Sequence, residues 1–261
     1  MKYALSEKEE QIISIAGGDA TIPVAEIAEQ SGISENSIRY HLRNLTEKNI
    51  IRCTPLVNIM NSGYCYYTIY FSLVATREAR ESTIGSTIIK SPECVWFSEL
   101  GGDYQYGLGL CMPHPYAVDC FLNQLCDRFK IHFLRKVVAC QIALSYWGRN
   151  FTGRSDQIST NPVQVVYDRA APDQVEIDDI DRRILAKMTA EHFVSRRKVA
   201  SALDLPLSTV DFRVRKLEEK KVICGYVYEL NSALVARQEY KLLLETRGKD
   251  VSSELVEFGA M

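Results

Sequence analysis

Arg213, Arg215 and Lys216 crowd one part of the segment Leu205–Asn231, LPLSTVDFRVRKLEEKKVICGYVYELN. They lie beside Val210, Val214 and Leu217, which recur at i, i+4 and i+7 and so share one helix face. The opposite arc carries Ser208, Phe212, Arg215, Lys216 and Glu219, flanked by Thr209 and Arg213, with Lys220 following. Cations gathered opposite an apolar stripe, among hydroxyl and aromatic neighbours, suit phosphate neutralisation and base-edge contact. Arg196, Arg197 and Lys198 open the segment before it, where they would lie near a phosphate backbone.

A short helix over Ser195–Leu203, a tight turn and a longer basic helix over Leu207–Lys221 are expected to position these groups. Ser195 is the expected N-cap. That is a helix-turn-helix, whose second helix fits a major groove. The same pattern occurs 172 residues earlier: Ile27, Ala28, Ile33, Ile38, Leu42 and Leu45 align with Val199, Ala200, Leu205, Val210, Val214 and Leu217. Apolar positions match throughout, which marks an internal duplication. In the first copy Ser34 is expected to cap the second helix, and Gly32 to supply positive φ in the turn. Asn36, Tyr40, Arg43 and Asn44 point outward there.

Local charge separates the copies. Ile177–Tyr228 holds 11 Lys/Arg against 8 Asp/Glu, whereas Met1–Thr54 holds 6 against 8. The second copy is therefore expected to be the stronger DNA binder, although the whole chain carries a net charge of −2. The eight cysteines include no C-x-x-C pair and read as buried thiols; Cys111, His114 and Cys120 are poorly spaced for a metal site. The four histidines are scattered, with no nucleophile–base set around them. No catalytic residue, metal or cofactor is expected. Without a signal-like or membrane-spanning apolar run, the sequence reads as cytoplasmic, with no membrane partner.

The 261 residues suit several domains. A capping box at Ser6–Glu9 opens the first helix, and Asp178 or Asp179 is expected to cap its counterpart. Residues 1–60 form a first winged helix-turn-helix, and 64–150 read β-α-β-β-α-β. Residues 151–175 form a linker containing a short strand near Val163–Tyr167. The second winged helix-turn-helix occupies 176–231. A strand over Glu239–Thr246 and a helix over Asp250–Phe258 begin a partial second sheet domain at 232–261. The fold class is α+β: two winged helices around a ferredoxin-like βαββαβ domain, with both helices on one sheet face. The other face is left free to pair or bind. The partial last domain is expected to reflect either a shortened chain or a natural remnant.

Leu205–Tyr226, together with Glu99–Leu110 (ELGGDYQYGLGL), resembles the feast/famine family of Lrp/AsnC-type transcriptional regulators. Pro206, where the first copy has Ser34, and two helix-turn-helix units in one chain depart from the family's pattern. The resemblance implies sequence-specific binding of double-stranded DNA, assembly into a homodimer or larger ring, and a sheet domain that binds a small effector such as an amino acid. It places that effector near Leu100, Gly101, Gly102, Asp103 and Tyr104, at an interface between copies. The glycines would let backbone amides approach a carboxylate, Asp103 would accept from an ammonium group, and Tyr104 and Trp96 would wall the site. Two other readings remain open: a tandem protein similar to siroheme-type tetrapyrrole decarboxylases, and an interaction scaffold that has lost DNA binding.

Overall fold

The computed structural model describes residues 2–74, 78–146, 163–166, 175–190, 195–231, 233–235, 241 and 243–244. The chain divides into two compact units, one built from residues 1–57, 145–165 and 177–261, the other from 58–144 and 166–176.

The first unit contains both copies of the repeat. Copy one comprises α1 (Glu7–Ala16), α2 (Val24–Ser31), α3 (Glu35–Glu47) and β1 (Ile51–Val57). Copy two comprises α6 (Asp179–Ala190), α7 (Arg196–Leu203), α8 (Leu207–Glu219) and β8 (Ile223–Leu230). Every element of copy two begins 172 residues after its counterpart. The backbone repeats even where the residue type does not. Gly32 at φ 69° and Asp204 at φ 54° both turn the chain left-handed between the second and third helices. Asn49 and Lys221 do the same before the strands, at φ 58° and 56°. Asp and Asn tolerate this region better than most side chains, because a short polar group can hydrogen-bond locally.

β1 and β8 do not form separate wings; they pair with each other, antiparallel. Thr54 faces Val227 and Pro55 faces Tyr226. Under the repeat, Thr54 is the counterpart of Tyr226 and Pro55 of Val227. The register therefore maps onto itself when the copies are exchanged, and a pseudo-twofold axis passes through the ladder centre. A bulge between Leu56 and Val57 breaks the symmetry at one end. Each strand also serves the other copy. Leu230 and Tyr228 pack with Ile13, Leu45, Ile50 and Ile51 of copy one, and the Tyr228 amide donates to the Gly17 carbonyl at 3.1 Å. Reciprocally, β1 lies against α6. The two expected winged domains are thus fused into one body through a shared strand ladder.

The second unit is the expected ferredoxin-like domain. β2 (Cys65–Leu73), α4 (Glu78–Ile89), β3 (Cys94–Glu99), β4 (Tyr106–Met112), α5 (Pro115–Phe129) and β5 (Phe133–Gln141) follow in that order. The sheet runs β3-β4-β2-β5, antiparallel throughout. Tyr67, Ile69, Phe71 and Leu73 alternate inward and meet Ile84, Ile88, Val118, Leu122 and Leu125 from the helices. On the opposite face the Trp96 indole N–H donates to the Tyr66 hydroxyl. The indole lies where a side chain at Gly107 or Gly109 would collide with it, so those positions need glycine. On β5 Leu134, Val137 and Val138 remain exposed.

The expected single strand Val137–Tyr146 is two: β5 stops at Gln141, and β6 (Ala143–Tyr146) pairs with β7 (Val163–Val166). The remaining linker and nearly all of the expected C-terminal strand and helix, Glu239–Phe258, lie outside the described residues. His114 caps α5, its Nδ1 accepting from the Ala117 amide at 3.1 Å. No group of His, Cys, Asp or Glu suited to a metal occurs among the described residues.

Candidate nucleic-acid interface

Each head presents its third helix by clamping the rear of that helix to the start of its first. In copy one Ser6 and Glu9 form the expected capping box. The same Glu9 carboxylate accepts from the Tyr3 hydroxyl at 2.9 Å and faces His41 Nδ1 of α3 at 3.4 Å. Burial alone would raise the Glu9 pKa, but the Ser6, Tyr3 and His41 hydrogen bonds outweigh it and hold the carboxyl below its ordinary value. In copy two Asp178 Oδ1 accepts from the Asp181 amide at 2.9 Å, which makes Asp178 the cap. Arg213, the counterpart of His41, donates to Asp178 at 2.6 Å and Asp181 at 2.9 Å. The Arg213 hydrogen bond lowers the Asp178 pKa, and the same contacts raise that of Arg213.

Two of the expected DNA contacts have carboxylate partners within the fold. Arg213 is committed to the α6 cap, its side chain 21% exposed. Arg196 reaches both carboxylate oxygens of Glu218 at 3.1 Å and lies 3.6 Å from Asp211. Glu218 in turn accepts from the Tyr226 hydroxyl at 2.6 Å. Both guanidiniums link helices through these carboxylates. The sequence shows the basic cluster but not that two of its members have hydrogen-bonded carboxylate partners 22 to 35 residues away.

The other expected residues reach the surface. On α8 Ser208, Phe212, Arg215 and Lys216 are exposed, as is Lys220 at its end; Thr209 is half-buried. On α7 Arg197 and Lys198 are exposed. On α3 Asn36, Tyr40 and Arg43 are exposed and Asn44 is half-buried. The two faces correspond position by position: Asn36 with Ser208, Tyr40 with Phe212, Arg43 with Arg215, and Asn44 with Lys216. The aromatic pair is notably bare, Tyr40 55% exposed and Phe212 69%. Neither Ser34 nor Pro206 makes a side-chain cap bond, although both occupy the cap position.

In the ferredoxin-like unit the Leu100 amide bonds to the Gln105 carbonyl at 2.7 Å and closes the hairpin. Gly101, Gly102 and Asp103 are exposed at its tip, with Gly102 at φ 123°. Asp103 lies 4.0 Å from Arg135, whose guanidinium is 5.8 Å from the centre of the half-buried Tyr104 ring. Trp96 instead lies flat over β4 with Tyr66.

Two helix-turn-helix units joined through a shared strand ladder place the chain in the helix-turn-helix class of DNA-binding proteins. A family model described as winged helix-turn-helix DNA-binding matches residues 5–52 and again 177–223. The HTH-type transcriptional regulator FL11 of Pyrococcus furiosus is 30% identical over 126 residues, covering 48% of this chain and 82% of that protein. A crystal structure of an AsnC family transcriptional regulator from Agrobacterium tumefaciens is 20% identical, covering 52% of this chain and 90% of that one, with a TM-score of 0.41. The siroheme decarboxylase NirDL is 13% identical, covering 85% of this chain and 65% of that one, with a TM-score of 0.49. The chain belongs to the Lrp/AsnC-type family of DNA-binding transcriptional regulators. No helix among the described residues is long and apolar enough to cross a membrane.

Proposed function

We propose that a single chain binds both halves of an inverted-repeat operator, using α3 on one half and α8 on the other, and regulates transcription by that binding rather than by catalysis. The self-symmetric register of the β1–β8 ladder carries this reading. Two heads related by a twofold axis meet two half-sites related by a twofold axis, about 34 Å apart along the duplex. The DNA contacts assigned are Asn36, Tyr40, Arg43 and Asn44 on one side, and Arg197, Ser208, Thr209, Phe212, Arg215, Lys216 and Lys220 on the other. Stoichiometric titration of a selected duplex with the chain tests it: saturation at one chain per two half-sites is expected whatever the assembly, and saturation at two chains per two half-sites would overturn it. A visible absorption band from a bound tetrapyrrole in the purified protein would overturn the non-catalytic reading.

The ferredoxin-like unit is assigned assembly and sensing. The exposed apolar residues of the edge strand β5, Leu134, Val137 and Val138, support self-association there. At the hairpin, Gly101 and Gly102 offer backbone amides, Arg135 a cation and Asp103 an anion, which matches both charged ends of an amino acid. Thermal-shift screening with the common amino acids tests the site. Stabilisation abolished by Asp103→Ala is expected, and no stabilisation by any amino acid would remove the assignment.

A further inference from the structure

We infer that the two heads divide their work unequally, α3 fixing the base sequence of its half-site and α8 holding the other half mainly by charge. The inference rests on the two-headed reading above and adds that the operator is asymmetric.

What the heads share cannot distinguish their half-sites. Both carry an exposed aromatic ring, Tyr40 or Phe212, and both an exposed arginine one turn on, Arg43 or Arg215. The difference begins at the second residue of each recognition helix, in the turn that enters the groove. Copy one has Asn36 there and copy two has Ser208, both exposed and without an internal hydrogen bond among the described residues. A carboxamide presents a donor and an acceptor side by side, the pattern that matches N6 and N7 of adenine. A hydroxyl rotates and serves as donor or acceptor, so it accepts several bases. A good bidentate pair discriminates against the wrong base by roughly five- to 150-fold.

The charge runs the other way. Where α7 and α8 expose Arg197, Lys198 and Lys216, copy one has Ala25, Glu26 and Asn44. These are three cations against two neutral groups and an anion, at matched places on a matched backbone. Cations on phosphates give affinity without sequence, through release of condensed counterions. Copy one therefore has the more selective side chain and the weaker phosphate grip, and copy two the reverse.

Selection of bound duplexes from a random pool with the full chain, followed by affinity measurements across salt concentrations, tests this directly. The recovered operator should be an inverted repeat with a fixed adenine in one half and a degenerate base at the symmetry-related position. Asn36→Ser should erase that adenine, and Ser208→Asn should add its mate and make the operator symmetric. Lys216→Ala should leave the recovered sequence unchanged and reduce the salt slope by about 0.9, the value of one lost phosphate contact. Equally strict halves in the unaltered protein, an adenine indifferent to Asn36→Ser, or a sequence altered by Lys216→Ala would each overturn the inference. Recovery of a single half-site, or of no enriched sequence, would instead overturn the two-headed reading itself.

Discussion

Replacing Arg213 by Ala separates a structural cation from one assigned to the proposed DNA interface. Its guanidinium bridges Asp178 and Asp181 at the start of α6, and the Asp181 side chain is only 5% exposed. Truncation leaves that nearly buried carboxylate without its cation. Charged hydrogen bonds of this kind net roughly 1.5–3 kcal/mol, and partial exposure of Arg213 lowers the expected loss to about 1–2 kcal/mol. The Asp178 contact is screened by water and adds little. For a unit of this size the loss corresponds to a fall in Tm of roughly 2–8 °C. DNA affinity, measured well below the transition, should keep the salt slope of the unaltered protein. Arg215→Ala should do the opposite, holding Tm within about 1 °C while the salt slope falls by about 0.9. Scanning calorimetry and fluorescence anisotropy read the two quantities independently. A normal Tm with a reduced slope in Arg213→Ala would refute the assignment and return Arg213 to the interface.

Three further outcomes follow from the same geometry. Glu9 has a folded pKa below its ordinary value, so its stabilisation is complete above the usual carboxylate range and is lost as pH falls through the folded value. Glu9→Gln should therefore lower Tm at pH 7 and flatten its decline in acid; an unchanged acid limb would sink that account. Val227 is fully buried at the ladder centre, and Val227→Asp should cost at least about 3 kcal/mol by placing a carboxylate between the heads. Unaltered thermal unfolding in that variant would show that the heads do not share the ladder. Burial, aided by Asp19, pushes the Cys53 thiol up to about 12, leaving about 10³-fold less thiolate at pH 8 than a free thiol has. Timed alkylation with mass mapping should label the half-buried Cys53 far more slowly than the exposed Cys140, and equal rates would contradict the raised pKa.

Much of this protein is local, and local features are what a sequence records. The apolar spacing of Val210, Val214 and Leu217 fixes the buried face of α8, and all three are buried. The Ser6–Glu9 capping box, the turn at Gly32 and the alternation in β2 depend on neighbours a few residues away, so they were legible before any fold was known. The duplication was legible as well, because two copies of one packed module must repeat the same apolar positions.

Partnership across long separations was not legible. Arg213 and Arg215 are indistinguishable as sequence, both basic and both near the outer arc of an amphipathic helix. Only the packing of α6 against α8 decides that the first is paired and the second is left to solvent. Likewise β1 and β8 each read as the wing of its own head. Tertiary structure joins them because an isolated strand leaves its backbone hydrogen bonds and apolar face unsatisfied, and the matching strand of the other copy satisfies both.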